Sequence, residues 1–232
     1  MTEMVKVYCF SGAGHSLSVA KYIAEKLGTD VLDVNKCGHA DKKCRVAVVV
    51  FPVYCQNIPK TVKEFLKKLD SEYVAFAITY GGISCGNVLS EAMTFTFATV
   101  LAGALIPMGH TFLNGGNDFD EEQLSLFIER LKSTDEITVP KYRKNIFADF
   151  FPEWRSRISV KISKSDKCVK CNLCGDNCPA NAIKEGNTNS NCIRCMKCVT
   201  DCPNNALSFG TGLILNLYLN KKRRKRHMEI FL

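Results

Sequence analysis

Thirteen cysteines occur in this chain of 232 residues, and eight of them fall in two closely spaced runs. Each run reads C-x2-C-x2-C-x3-C-P, and the second repeats the first at an offset of 24 residues, from Cys168 to Cys192. Thiolates at such spacing bind soft metals or metal clusters, or oxidise to disulfides. The repeat therefore predicts a small unit of two matching halves. Its cysteines are Cys168, Cys171, Cys174, Cys178, Cys192, Cys195, Cys198 and Cys202.

The spacing within each run favours iron–sulfur clusters over zinc or disulfides. A four-cysteine zinc site usually pairs two CxxC units across a spacer, which leaves the third cysteine and the C-P ending unexplained. Disulfides fit poorly because the start of the chain lacks a signal-peptide pattern, which predicts a reducing, cytoplasmic compartment. The observed spacing is that of bacterial ferredoxins with two [4Fe–4S] clusters.

In that pattern the fourth cysteine of each run ligates the cluster of the other run. Crossed ligation ties the two halves together, and we expect metal binding to supply most of the folding free energy of so small a unit. The first cluster is assigned to Cys168, Cys171, Cys174 and Cys202. The second cluster is assigned to Cys192, Cys195, Cys198 and Cys178.

The preceding part of the chain alternates strand-like and helix-like segments, which predicts an α/β fold with a doubly wound parallel sheet. Five strands within ~130 residues suit a flavodoxin-like sheet, whose usual strand order is 2-1-3-4-5. The predicted strands are Val5–Phe10, Val31–Val34, Val46–Phe51, Val74–Thr79 and Gly103–Met108. The predicted helices are Leu17–Leu27, Pro59–Leu69, Gly86–Val100 and Asp120–Leu131.

Four parts are expected along the chain. A flavodoxin-like domain at 1–135 is followed by an interdomain strap at 136–160, and a small α+β ferredoxin-like domain with two [4Fe–4S] clusters spans 161–210. A basic tail at 211–232 completes the sequence. The strap is defined by clustered aromatic residues, Phe147, Phe150, Phe151 and Trp154.

Three loops follow predicted strands and meet at the carboxyl edge of such a sheet, where ligands bind. The first is rich in glycine and serine, so its amides can converge on an anion beside a helix N-terminus. The other two each carry an aromatic residue that could flank a planar ring. The first loop comprises Ser11, Gly12, Ala13, Gly14, His15 and Ser16. The others contribute Pro52, Val53, Tyr54, Asn57, Thr79, Tyr80, Gly81, Gly82 and Gly86.

With these loops and the two cysteine runs, the chain resembles the ferrodoxin family, in which a flavodoxin-like domain is fused to a two-[4Fe–4S] ferredoxin domain. The resemblance covers nearly the whole chain except the basic tail. It implies that the flavodoxin-like domain holds FMN, with Ser11–Ser16 at the phosphate and the other two loops around the isoalloxazine. Ala13 stands where the family usually has threonine, and His15 where it has asparagine. Ala13 thereby removes one hydroxyl donor from the loop.

An electron-transfer role between the clusters and FMN, serving low-potential carriers of anaerobic metabolism, is the first functional hypothesis. The alternatives are an FMN-dependent reductase of a quinone or nitro compound, and a flavin-free ferredoxin with a scaffold or sensor domain. Cys55 and Cys85 are expected near the flavin, with a buried structural role as the default.

The net charge of +8 owes much to six consecutive basic residues, Lys221–Arg226. The preceding apolar run, Gly212–Leu219, is shorter than the roughly 20 residues that span a bilayer, so no transmembrane segment is expected. The basic run could dock an acidic redox protein, as donor or acceptor, or associate weakly with an anionic membrane surface. Nucleic acid is not an expected partner, because no known nucleic-acid-binding motif accompanies the basic run.

Overall fold

A computed structural model of the chain describes residues 5–38, 40–113, 116, 118–142, 144, 157–222 and 226–232. Its first half contains five parallel strands in the order 2-1-3-4-5, which confirms the predicted flavodoxin-like sheet. The central strand is apolar over Val46–Phe51 and buried on both faces. The strands are β1 (Val5–Cys9), β2 (Val31–Asp33), β3 (Lys43–Pro52), β4 (Asp70–Tyr80) and β5 (Thr99–Pro107).

Helices cover both faces of the sheet, and each buries one apolar stripe. Val19 and Ile23 of the first helix are fully buried against one face, which the last of the four also covers. The other two pack on the opposite face. The helices are α1 (His15–Leu27), α2 (Lys60–Leu66), α3 (Val88–Met93) and α4 (Glu121–Arg130).

The helix predicted over Gly86–Val100 is much shorter in the structure, and the fifth strand is longer than predicted. α3 ends at Met93, and β5 already begins at Thr99. The residues between them alternate threonine and phenylalanine, which are poor helix formers. The amide of Ile137 also donates to the carbonyl of Val100 at 2.9 Å, which extends the pairing at this end of β5.

The ferredoxin-like domain consists of two small antiparallel pairs of strands and two one-turn helices. Residues 24 positions apart in the two halves have the same backbone conformation. Lys170 and Arg194 have φ values of 57° and 56°, and Asn181 and Asn205 have φ values of 47° and 48°. Matching left-handed residues at matching positions confirm two equivalent halves. The elements are β6 (Val160–Lys164), α5 (Leu173–Asp176), β7 (Ile183–Lys184), β8 (Asn187–Thr188), α6 (Lys197–Thr200) and β9 (Leu207–Thr211).

The segment predicted as a basic tail instead contains two further elements. A helix, α7 (Leu213–Lys222), follows β9, and a strand, β10 (Glu229–Phe231), pairs antiparallel with β5 at the edge of the large sheet. The sheet therefore has six strands, in the order β10-β5-β4-β3-β1-β2. A strand of three residues after a charged run is too short to show an alternating pattern, so the sequence carried no signal for it.

Most of the predicted strap lies outside the described residues, including Phe147, Phe150, Phe151 and Trp154. Its described beginning is tied to the flavodoxin-like domain, since the Tyr142 hydroxyl donates to Glu229 at 2.7 Å and Lys144 forms a 2.8 Å ion pair with Glu91. Among the helices of the described chain, none is long and apolar enough to cross a bilayer.

Candidate functional site

The eight clustered cysteines surround two separate cavities, four to each. Each cavity takes three cysteines from one run and the last cysteine from the other. One cavity is lined by Cys168, Cys171, Cys174 and Cys202. The other is lined by Cys192, Cys195, Cys198 and Cys178. These are the two crossed sets expected from the spacing.

No group of three or more His, Cys, Asp or Glu side chains in the described residues is arranged to hold a single metal ion. The cysteines instead stand around a space, with backbone amides aimed at two of them. Ala182 N–H donates to Cys178 Sγ at 3.2 Å, and Ala206 N–H donates to Cys202 Sγ at 3.3 Å, again in matching positions. Equivalent backbone amides thus contact the last cysteine of each run.

The cysteines of the two cavities differ in their exposure to solvent. Cys192 and Cys198 are buried in the second cavity, whereas Cys171 in the first is exposed. With no metal present, burial raises the pKa of the Cys195 thiol to about 11 and that of Cys198 to about 12. Metal binding at these buried cysteines must therefore release protons, since the ligand is the thiolate.

A third cavity lies at the carboxyl edge of the sheet, where the three predicted loops meet. It encloses about 150 Å³ and is lined by the side of the ferredoxin-like domain that carries Cys195. A larger cleft of about 640 Å³ shares Tyr54 and Ile193 with it. We call the smaller one the edge cavity. The predicted residues that line it are His15, Pro52, Val53, Tyr54, Thr79, Tyr80 and Gly81.

The first loop leads into the N-terminus of α1, and a serine of the loop binds one amide of its first turn. Gly14 precedes α1 in a left-handed conformation, φ 94°, without a side-chain capping bond, and the first turn of α1 contains no acidic residue. Ser11 Oγ accepts from the amide of Leu17 at 3.3 Å and so fixes the curve of the loop. A helix start with these features suits an anion such as a phosphate.

The second predicted loop contains a tight turn at Tyr54–Asn57, closed by two backbone hydrogen bonds of 3.0 and 2.9 Å. Cys55 and Gln56 occupy its centre with φ values of 51° and 64°, and neither is glycine. Positive φ at both central positions is the conformation of a type I′ turn. Non-glycine residues in it cost energy and tend to occur at functional sites.

Several predicted residues lie beside the edge cavity rather than on its lining. Gly86 has φ 64° and lets the third loop approach the second, since a Cβ there would come within 2.8 Å of Gln56 Cβ. Asn57 lines the larger cleft and accepts a hydrogen bond from Lys144 at 2.8 Å. The predicted residues outside the lining are Ser11, Gly12, Ala13, Gly14, Ser16, Asn57, Gly82 and Gly86.

Gly12 is the point where the first loop meets the cluster-binding domain. A Cβ on Gly12 would overlap the carbonyl oxygen of Cys195 and would lie 2.8 Å from Tyr54 Oη. Burial, with Cys195 and Cys9 nearby, raises the pKa of the Tyr54 phenol, so this tyrosine stays protonated. Lys197, two residues after Cys195, adds an ion pair of 3.9 Å to Asp33 at the end of β2.

Ser16 and Thr79 join the first loop to the third. Both side chains are about 1% exposed, and their hydroxyl oxygens lie 2.8 Å apart in a buried hydrogen bond. The bond fixes the first turn of α1 against the end of β4. These two positions were predicted from loop position alone, and the structure brings them into contact.

Replacing Thr79 with valine is expected to lower the free energy of unfolding by about 1–3 kcal/mol, because the buried Ser16 hydroxyl loses its partner. Urea denaturation of the two proteins measures the difference. Adding Ser16→Ala to the valine variant removes the unpaired group and should recover part of the loss. A valine variant as stable as the parent would show that the bond contributes nothing.

Seven residues that line the edge cavity were not predicted from the sequence: Met108, Gly109, His110, Thr111, Phe112, Ile193 and Arg194. The loop after β5 also ends at the carboxyl edge of the sheet, so its position could have suggested His110 and Phe112. Ile193 and Arg194 belong to the second cysteine run, and no local pattern indicates that this run faces the flavodoxin-like domain.

The residues at the edge cavity fit a flavin nucleotide. Arg194 Nε donates to the carbonyl of Val160 at 2.9 Å, while its buried Nη1 has no partner among the described residues. An unpaired buried guanidinium nitrogen beside a cavity needs an acceptor, and FMN offers several. The edge cavity alone is smaller than the ~300 Å³ of common ligand pockets, but it adjoins the larger cleft.

Two stretches of the chain, residues 164–184 and 188–208, match the 4Fe-4S binding domain family (Fer4). A comparison with curated proteins found no match. Among solved structures, a short-chain flavodoxin associated with a non-canonical PDU bacterial microcompartment aligns with a TM-score of 0.42 and 19% identity, over 56% of this chain and 97% of that one. The Trp repressor binding protein from Bacillus subtilis aligns with a TM-score of 0.36 and 12% identity, over 57% and 100%.

The two family matches coincide with the two cysteine runs and their surrounding strands. The strand order of the large sheet is by itself the flavodoxin-like arrangement. The chain therefore combines a flavodoxin-like fold with a ferredoxin-type 4Fe–4S binding domain, as in a flavodoxin–ferredoxin fusion.

Proposed function

We propose that this protein transfers electrons between two [4Fe–4S] clusters and a bound FMN, and so connects low-potential redox carriers. The observation that carries the proposal is the place of Cys195, which lines both the second cysteine cavity and the edge cavity. Clusters exchange single electrons and FMN can hold one or two, so the pair would convert between the two kinds of carrier.

Each loop at the edge cavity has a distinct part in this proposal. Ser11–Ser16 and the start of α1 would bind the phosphate, while Tyr54 and Tyr80 would flank the ring. Burial raises the pKa of Tyr80 to about 12, so this side chain stays neutral beside the ring. Arg194 would supply the one positive charge that the cluster-binding domain brings to the cavity lining.

The first cluster is the proposed point of contact for a redox protein. Cys171 is exposed, and the neighbouring Val169 and Leu173 are 68% and 39% exposed. The second cluster would be enclosed between this surface and the edge cavity. A reducing cytoplasm, where thiols remain available for iron, suits both sites.

Anaerobic purification followed by counting of flavin, iron and sulfide tests the proposal. The expected result is about one FMN and about eight irons per chain.

Replacing Ala13 with threonine should tighten FMN binding by about 5- to 10-fold, because a hydroxyl donor is added at the phosphate. Titration of flavin fluorescence with each protein measures this change.

About eight irons without FMN, even after incubation with excess FMN, would contradict the flavin part and favour a flavin-free ferredoxin. An Ala13→Thr variant with unchanged affinity for FMN would contradict phosphate binding at the first loop. Reoxidation by a quinone or nitro compound that is faster than reoxidation by any ferredoxin-type acceptor would favour a reductase.

A further inference from the structure

Helix α7 carries an apolar face that the rest of the described chain does not cover. Leu213 is 73% exposed, Ile214 85%, Leu217 62% and Tyr218 46%, whereas Leu219 on the other side is buried. The helix is held in place by that inner side and by a 2.7 Å hydrogen bond between Thr211 and Asn216. Large apolar side chains exposed together on one helix indicate an interaction surface.

The same face changes from apolar to basic along the helix. Residues four apart lie above one another on a helix, so α7 presents two parallel stripes. Each stripe has two apolar residues followed by an exposed lysine. One stripe is Leu213, Leu217 and Lys221, and the other is Ile214, Tyr218 and Lys222. In the sequence, these lysines begin the run of six basic residues that ends at Arg226.

We propose that this face of α7 docks the protein on the surface of an anionic lipid bilayer. Leu213, Ile214 and Leu217 would enter the boundary between headgroups and acyl chains, and Tyr218 would sit at the headgroup level. Lys221 and Lys222 can extend their stems along the apolar layer while their ammonium groups reach the phosphates. A helix of ten residues can lie in this boundary but cannot cross the bilayer.

Charge complementarity selects a lipid surface over the other occupants. An acidic redox protein would pair with the lysines, but it would not explain the exposed apolar residues. A second copy of α7 would cover the apolar residues but offers no acidic group to the lysines. Apolar stripes that end in lysines suit an anionic bilayer surface, because the apolar residues can enter the boundary while the ammonium groups reach the headgroup phosphates. The proposal rests on α7 alone and is independent of the flavin.

Co-sedimentation of the full chain with vesicles tests it, with the clusters assembled anaerobically. Vesicles of phosphatidylcholine mixed with phosphatidylglycerol should carry the protein down, and vesicles of phosphatidylcholine alone should not. Raising the salt concentration should weaken binding, because exposed charges are screened. Replacing Lys221 and Lys222 with glutamine should weaken it by about 30-fold.

Replacing Leu213, Ile214 and Leu217 with serine should abolish sedimentation while the melting temperature and iron content stay unchanged. Two variants serve as matched controls and should bind like the parent. One is Leu126→Ser, at an exposed leucine of α4, and the other is Lys21→Gln with Lys132→Gln, at exposed lysines of the flavodoxin-like domain.

Five results would overturn the proposal. The protein could fail to bind anionic vesicles, or the serine variant could bind as well as the parent. A lower melting temperature of the serine variant would show that the chain itself covers this face. Dimerisation in analytical ultracentrifugation that the serine variant loses would assign the face to a second copy, and salt-sensitive capture of an acidic ferredoxin without vesicle binding would assign it to a protein.

Discussion

Replacing Cys178 with alanine is expected to remove the cluster of the second cysteine run, although Cys178 belongs to the first. The reason is its position, because Cys178 lines the cavity formed by Cys192, Cys195 and Cys198. Iron content should fall from about eight to about four per chain, with the remaining four in the cavity of the first run. The domain should also lose much of its stability, since metal binding is part of its folding free energy.

Paired substitutions separate crossed from uncrossed ligation. If the ligation is crossed, Cys178→Ala combined with Cys192→Ala damages one cluster twice and leaves about four irons. Cys178→Ala combined with Cys168→Ala then damages both clusters and leaves almost none. Uncrossed ligation gives the opposite pair of results, so iron analysis of the two double variants decides between them.

Cys85→Ala is the matched control, because this half-buried cysteine lies outside both cysteine cavities and should keep its full iron content. Electron paramagnetic resonance of the reduced proteins adds a second measurement. Two nearby reduced clusters interact, and the Cys178 variant should lose that interaction. A Cys178 variant with all its iron would contradict the assignment.

Replacing Gly12 with alanine is expected to separate the cluster-binding domain from the first loop. The new Cβ would overlap the backbone oxygen of Cys195, and rotation of a side chain cannot relieve a clash with backbone. Overpacking of this kind costs about 1–3 kcal/mol of stability. Because the loop and Cys195 move apart, we also expect weaker FMN binding and slower reduction of the flavin through the clusters.

Gly210→Ala is the control for this prediction, since a Cβ on Gly210 would meet no atom within 4 Å. Urea denaturation measures the stability of both variants, and stopped-flow absorbance follows flavin reduction after the clusters are reduced. If Gly12→Ala matched Gly210→Ala in both measurements, the close approach of Cys195 to Gly12 would matter neither for stability nor for electron transfer.

Local patterns were sufficient to predict the parallel sheet, and they group three closely spaced cysteines in each run. The continuous apolar run at Val46–Phe51 is typical of a strand buried on both faces, and the structure places it in the centre of the sheet. The spacing of the cysteines is equally local, because a tight loop of seven residues brings three of them around one cavity. Such features are encoded within a few residues of each other.

Contacts between distant parts of the chain could not be predicted in the same way. Arg194 reaches the edge cavity because the second cysteine run packs on Gly12, and neither residue type indicates that contact. Gly86 was predicted at the flavin as a member of the glycine-rich third loop, and in the structure its positive φ allows the approach of Gln56. Glycine in a loop fixes the backbone conformation, but it does not tell whether a ligand or another loop comes close.

The pairing of β10 with β5 makes the cluster-binding domain an insertion rather than an appendage. The chain leaves the large sheet after β5, builds the cluster-binding domain, and then returns to the edge of the same strand. A domain attached at two points has far less freedom to rotate than one on a single linker, which favours a constant separation between Cys195 and Gly12. The edge of β5 also stays open until β10 has been synthesised, so an interrupted chain would expose a strand edge that invites aggregation.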